Sequence, residues 1–216
     1  MIDTALDELR KRRSPDRQRH IQNFITGSAA GLALCGVLLQ LKPLLEGKWW
    51  QIGTLLFYTM VFCLFLLRRP SRESSKSIGH WVFALSGAFL PFLTRFESHQ
   101  SFTLFWASVP LQIAGMALSV VALSYLGRSF GVIAAHREIQ LQGPYRIVRH
   151  PLYLGEALWF FSIILQNISW FNLGLFCIQL GCQIRRIREE EMVLGREPKY
   201  AEYVKSVSYR LVPGVF

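Results

Sequence analysis

The chain has 216 residues, of which 51% are hydrophobic, 13% aromatic and only 18% charged, with a mean hydropathy of +0.28. Ordinary soluble domains carry about a quarter charged residues, so this composition points to an integral membrane protein with the length of one domain. The formal net charge of +10 would suggest nucleic acid in a soluble protein, but here the basic residues lie between apolar runs, where cytoplasmic positive charge facing anionic lipid heads accounts for them.

Residues 1–21 read as a basic cytoplasmic arm in which Ile2, Leu6 and Leu9 form a weak amphipathic face, solvated or interfacial. No cleavable signal peptide is evident. A spanning helix needs about 20 mostly apolar residues, and the candidates are 22–41, 49–67 (opened by Trp49 and Trp50), 79–94 (short, containing Pro91), 102–126, 152–168 and 170–184. The last two are separated only by Asn167-Ile168-Ser169-Trp170 and should form a tight helical hairpin. The expected fold is therefore all-α, a multi-pass transmembrane bundle of about six spans. Residues 22–126 hold the first four spans, and 127–216 hold a catalytic region with the last two spans and a C-terminal segment. With the N-terminus inside, the inner segments carry the arginines from Arg10 to Arg19, then Arg68, Arg69, Arg72 and Lys76, then Arg128, Arg137, Arg146 and Arg149, and the cluster from Arg185 onward. The outer loops carry only Lys42, Lys48 and Arg95. This bias places both termini in the cytoplasm. No strand–helix alternation exists, which excludes a soluble fold built on a parallel sheet.

Two polar clusters face the cytoplasm in this topology. The first is Gly143-Pro144-Tyr145-Arg146-Ile147-Val148-Arg149-His150-Pro151-Leu152-Tyr153-Leu154-Gly155. Gly143-Pro144 reads as a turn, and Pro151 fits the first turn of the fifth helix, where its missing N–H costs nothing. His150 then sits at the cap, with the N–H groups of Leu152, Tyr153 and Leu154 free to meet electron-rich atoms. Tyr145 and Arg146 taken alone fit ordinary interfacial anchoring; Arg149, His150, Pro151 and Tyr153 together ask for a ligand. The second cluster is Arg185-Arg186-Ile187-Arg188-Glu189-Glu190-Glu191. On a continuing helix, Arg186 and Glu190 share a face, as do Arg185 and Glu189. Such a run is usually a solvated helix extension, yet a carboxylate opposite the basic turn could take both hydroxyls of a ribose or pair with a fixed arginine. Tyr200 and Tyr203 share one helical face further on, and Arg210-Leu211-Val212-Pro213 reads as a return to the membrane surface. The four cysteines, Cys35, Cys63, Cys177 and Cys182, lie inside apolar runs without a CxxC pair and read as small hydrophobes. No metal-ligand spacing, nucleophile motif or phosphate-binding glycine loop is present.

At these residues the chain resembles the isoprenylcysteine carboxyl methyltransferases and the related phospholipid methyltransferases. The elements that carry the resemblance are Gly143-Pro144-Tyr145-Arg146, Arg149-His150-Pro151-x-Tyr153-x-Gly155, Glu190-Glu191-x-x-Leu194 and Tyr200-x-x-Tyr203, in a stretch from about Leu126 to the C-terminus. The resemblance implies a multi-pass enzyme, in the cytoplasmic membrane of a bacterium or the endoplasmic reticulum of a eukaryote. It implies S-adenosylmethionine as cofactor and a lipid-like acceptor entering sideways from the bilayer. By the same match, Gln142, Gly143, Pro144 and Tyr145 with His150, Pro151, Leu152, Tyr153 and Leu154 line the cofactor, and Glu190 reaches it from the last helix. Arg149 or Arg146 holds the acceptor's polar head or orients that glutamate. The segment Leu194 to Tyr200 is shorter than the family's, which often shows a Phe-Gly pair there. The choice among Glu189, Glu190 and Glu191 is accordingly made by counting back from Leu194, which gives Glu190.

Methyl transfer from a sulfonium needs positioning and exclusion of water more than covalent catalysis. A carboxylate acceptor needs only an arginine to hold it; an amine or hydroxyl needs a base, with His150 or a glutamate as candidates. Two other readings compete: an NADPH-dependent membrane reductase of the sterol-reductase type, whose C-terminal motifs are similar, and a non-catalytic membrane protein or small transporter. The latter would show ionisable residues in mid-span.

Overall fold

The computed structural model describes residues 23, 27–42, 44–47, 52–67, 86, 90–95, 102–126 and 139–216. The basic arm, most of the expected third span and the loop 127–138 lie outside the described residues. All regular structure among the described residues is helical. The chain divides into two compact units, within residues 1–70 and 71–216. The first holds α1 (Gly27–Lys42) and α2 (Ile52–Leu67), which lie within the expected first two spans to within a residue. α1 buries Ala29, Ala33 and Gln40 on one face, and α2 buries Thr54, Phe57 and Tyr58.

The second unit holds a 3-10 turn (Leu90–Leu93), then α3 (Phe102–Leu126), a 3-10 turn (Gly143–Arg146), α4 (Pro151–Gln166), α5 (Trp170–Leu194) and α6 (Pro198–Ser206). The limits of α3 are those read from its apolar run. α4 begins at Pro151 and ends at Gln166, because Asn167 turns the chain and Ser169 caps α5 through its side chain, accepting from Asn172 N (3.2 Å). α5 does not stop at the end of the apolar run but continues to Leu194, carrying the charged cluster on the same helix.

α4 has α3 as its main packing partner rather than α5. The reason lies in side-chain size. Ser108, Gln112, Gly115, Ser119 and Ala122 recur at helical spacing along the buried side of α3, and Gly155, Trp159, Ser162 and Gln166 do the same on α4. A Cβ on Gly115 would lie 2.6 Å from Trp159 N and 2.8 Å from Gly155 O, so the two backbones touch there and nothing larger fits. Gln166 Nε2 donates to Ser108 Oγ at 2.9 Å and satisfies one polar pair inside the interface. Opposite this stripe, Trp106, Ile113 and Val120 of α3 are exposed one heptad apart. Small residues inside and large apolar residues outside is the pattern of a helix that faces lipid. Among the described residues Thr103–Leu126 is the one helix long and apolar enough to cross a membrane; α1, α2 and α4 are shorter apolar helices.

Candidate active site

The turn before α4 is fixed from three sides. Gly143 has φ +58, a backbone that favours glycine, and starts the 3-10 turn. Gln142 precedes it, exposed, its carbonyl accepting from Tyr145 N (3.2 Å), and Pro144 O accepts from Ile147 N (3.1 Å). Tyr145 is buried: its hydroxyl reaches Ala122 O of α3 (3.4 Å), and its carbonyl accepts from the Tyr203 hydroxyl of α6 (2.7 Å). The backbone N–H groups of Arg149 and His150 donate to Tyr209 O and Arg210 O, both at 2.9 Å. The C-terminal segment thus folds back onto the turn, and Arg210, Leu211 and Val212 donate their N–H groups to Phe216 O.

His150 occupies the cap position of α4 with Pro151 first in the helix, as the sequence predicts. Leu154 N already donates to His150 O (3.2 Å), so the first-turn amides without an intrahelical acceptor are those of Leu152 and Tyr153 and not that of Leu154. Leu152 and Pro151 are buried, and half-buried Leu154 packs against the cluster of Tyr153, Ile187 and Leu211.

The acidic end of α5 meets this turn. Glu191 is the hub. Arg149 Nε donates to its Oε1 (2.9 Å), Arg210 Nε to its Oε2 (2.8 Å), and His150 Nε2 stands 3.3 Å from Oε1. Burial by itself would raise the Glu191 carboxyl; the hydrogen bonds from His150, Arg210 and Arg149 outweigh it and hold the pKa at about 2. Arg149 is spent on this clasp, since its Nη1 also donates to Val207 O (2.7 Å) and Ser208 O (2.9 Å). Glu190 lies beside Glu191, more exposed, accepting from the Tyr153 hydroxyl at Oε2 (3.1 Å) with His150 Nδ1 3.9 Å away. Glu189 faces elsewhere and pairs with Arg185 at 2.9 Å. Tyr200 and Tyr203 stack edge-on beneath the clasp and, with Val207, form a buried cluster. Burial raises both phenols, Tyr203 to about 12, so both stay protonated.

Arg146 is placed apart from this hub. It is exposed and lines an open groove of about 650 Å³ together with Lys199, Glu202 and Ser206.

Deeper along α5, the structure brings Arg186 together with Glu156 and Gln183, two polar residues that the sequence alone did not single out. Glu156 of α4 accepts from Gln183 Nε2 (3.1 Å) and lies 3.9 Å from Arg186 Nη1, while Arg186 spreads over the Tyr153 ring, 4.7 Å from its centroid. Burial would lower the Arg186 pKa, but Tyr153, Glu156 and Glu190 outweigh it and keep the guanidinium charged. The available signal was a glutamate inside the fifth apolar run and two glutamines in the sixth.

Residues 100–197 match the family model described as phospholipid methyltransferase. A protein of Dictyostelium discoideum named protein-S-isoprenylcysteine O-methyltransferase is 26% identical in an alignment covering 76% of this chain and 75% of that protein. Over these residues the chain is similar to both the phospholipid methyltransferases and the isoprenylcysteine O-methyltransferases. The matched region takes in α3, the turn at Gly143, α4 and α5 with Glu190 and Glu191.

Proposed function

We propose that this isoprenylcysteine methyltransferase-like protein transfers a methyl group from S-adenosylmethionine to the carboxylate of an isoprenylcysteine-type acceptor, at the cytoplasmic face of a membrane crossed several times with both termini inside. The observation that carries the proposal is the meeting of the histidine–proline turn with the acidic end of α5 through Arg149–Glu191, His150–Glu191 and Tyr153–Glu190. The residues present fit the cofactor. Glu190 is partly exposed and accepts from Tyr153 through only one of its oxygens, and the same helix buries Gln179, Gln183 and Arg186, whose side chains hold polar atoms without a hydrogen-bond partner among the described residues. A ligand rich in hydroxyl, amine and carboxylate groups satisfies such atoms.

S-Adenosylmethionine supplies an already activated methyl group. The protein's part is to bind, orient and exclude water. Glu190 takes ribose hydroxyls, and the His150 and Tyr153 rings, 5.6 Å apart, form a wall beside it. Gln142 to Tyr145 and Pro151 to Leu154 border the same space. Arg149 acts through Glu191, tying the C-terminal segment to the turn and so fixing where His150 stands. Glu191, held at about 2 by its donors, is a poor proton acceptor near neutral pH. With Glu191 removed as a base, an amine or hydroxyl acceptor would have to rely on His150 or Glu190, whereas a carboxylate acceptor needs no base.

Calorimetry with S-adenosylhomocysteine tests the assignment. Wild-type protein in detergent should bind it, and Glu190→Ala and His150→Ala should each weaken binding by tenfold or more. Unchanged affinity in both variants removes the site, and binding of NADPH in its place moves the chain to a reductase.

A further inference from the structure

The stripe Gln179, Gln183, Arg186 and Glu190 repeats at four, three and four residues and therefore runs down one face of α5. Its first three members are buried: Gln179 is 1% exposed, Gln183 0% and Arg186 7%. Their hydrogen-bonding capacity is incomplete among the described residues. Arg186 Nε and Nη1 have no acceptor, and the Oε1 atoms of Gln179 and Gln183 have no donor. Buried polar groups in native structures almost always find partners, so four orphaned atoms along one helix face mark a place built for a ligand. Glu156 does not supply the missing partner. At 3.9 Å from Nη1 it balances the charge of Arg186 without occupying its donors, and its Oε2 already accepts from Gln183 Nε2 at 3.1 Å.

The unmet demands define the ligand's chemistry. Arg186 asks for an acceptor, and an anion suits a guanidinium best. Glu156 and Glu190 stand close by, which disfavours a dianion such as phosphate and leaves a singly charged carboxylate. The Gln183 oxygen asks for an N–H donor about one helical turn away, roughly 5 Å along the axis, and Gln179 lies a further turn on. A carboxylate with an N–H group on the adjacent carbon meets both demands. We propose that Arg186, with Gln183, binds an α-amino-acid head group, Arg186 holding its carboxylate and Gln183 its nitrogen. Two sources carry this chemistry in the reaction proposed above, on which the inference rests: the methionine end of the methyl donor, and the cysteine end of the acceptor. Gln179 and Gln183 lie within the sixth expected span, so either head group would be received where the site borders the bilayer.

Calorimetry on the full-length protein in detergent separates these cases, with S-adenosylhomocysteine and its decarboxylated analogue as one ligand pair and N-acetyl-S-farnesylcysteine and its methyl ester as the other. In wild type, the carboxylate-bearing member of one pair should bind at least tenfold more tightly than its partner, and Arg186→Gln should abolish that difference while leaving the carboxylate-free member unchanged. Loss confined to the nucleoside pair assigns the site to the donor; loss confined to the farnesyl pair assigns it to the acceptor. The inference is overturned if Arg186→Gln binds all four ligands as wild type does, or if it weakens both members of each pair equally. Should Arg186→Gln fail to fold, Gln183→Leu decides: it should weaken the same pair's amino- or amide-bearing ligand at least fivefold against a desamino analogue, and an equal affinity ratio in wild type and variant refutes the proposal. If wild type binds neither S-adenosylhomocysteine nor farnesylcysteine, the methyltransferase reading itself falls. Binding that is indifferent to Arg186 and Gln183 removes only their assignment.

Discussion

The two ends of α4 are built on opposite principles. Where it lies along α3, glycine, serine and alanine bring the backbones into contact, and the buried polar pair Gln166–Ser108 is satisfied within the interface. Where it meets α5 and the C-terminal segment, Arg149, His150, Glu191 and Arg210 interlock, and side chains just below them hold polar atoms without partners. The first end serves as scaffold, with Gln112 Nε2 left without a hydrogen-bond partner among the described residues. The second holds buried charge in place and lines up unpartnered atoms of Gln179, Gln183 and Arg186 on one helix face, which marks a site.

The sharpest way to break the second end is Glu191→Ala. It leaves Arg149 buried with only carbonyl partners and releases Arg210, and breaking a buried pair in this way costs about 3–5 kcal/mol. Thermal unfolding in detergent should show the loss together with protease sensitivity of residues 207–216. Unaltered melting and an intact tail would mean that the backbone bonds from Arg149 and His150 hold the segment alone. The pH dependence follows from the depressed Glu191 pKa. Its contribution is fully present above about 4.5, the ordinary glutamate value, and is lost as pH falls toward about 2. Wild-type stability should fall across that window more steeply than that of Glu191→Gln, in which no carboxylate titrates.

The first end should break by volume and not by charge. In Gly115→Val, the Cβ alone would meet Trp159 N at 2.6 Å and Gly155 O at 2.8 Å, both backbone atoms that cannot rotate away. Overpacking of this kind costs roughly 1–3 kcal/mol. The same substitution should leave the pH profile unchanged, because nothing that titrates is touched. A stability loss with an altered acid profile would show that the two ends of α4 are coupled.

This contrast also explains how much could be read from the chain alone. The apolar runs gave α3 to the residue and α4 within one or two, since helix formation there depends on local composition. His150 and Pro151 fell into place because proline at the first helical position is a local rule. The partner of α4 was not legible: a three-residue turn to α5 invites a hairpin, and only the glycine and serine spacing on α3, a pattern between segments distant in sequence, shows why α3 takes that role. The site was legible as two motifs but not as a bonding scheme. Counting from Leu194 favoured Glu190, whereas the clasp centres on Glu191 because Arg210, some 19 residues on, returns to it through a fold-back that no local pattern announces. Glu156 and Gln183 were missed for a similar reason, and Arg186 was read only as sharing a helix face with Glu190, as each looks tolerable until the others are placed opposite it.

The smallest effect expected is at Arg185, which tests whether proximity in sequence to the hub confers importance. Arg185 donates to Glu189 at 2.9 Å, but its side chain is 53% exposed and the pair lies four residues apart on one helix. Pairs of that kind contribute about 0.3–0.5 kcal/mol. Arg185→Ala should therefore shift unfolding by a degree or so and leave S-adenosylhomocysteine affinity unchanged, although it sits next to Arg186. The adjacent side chains point to different sides of α5, one into solvent and one over the Tyr153 ring. A large loss of ligand affinity in Arg185→Ala would mean that Glu189, buried beside it, shares the work assigned to Glu190, and would redraw the boundary between scaffold and site on that helix.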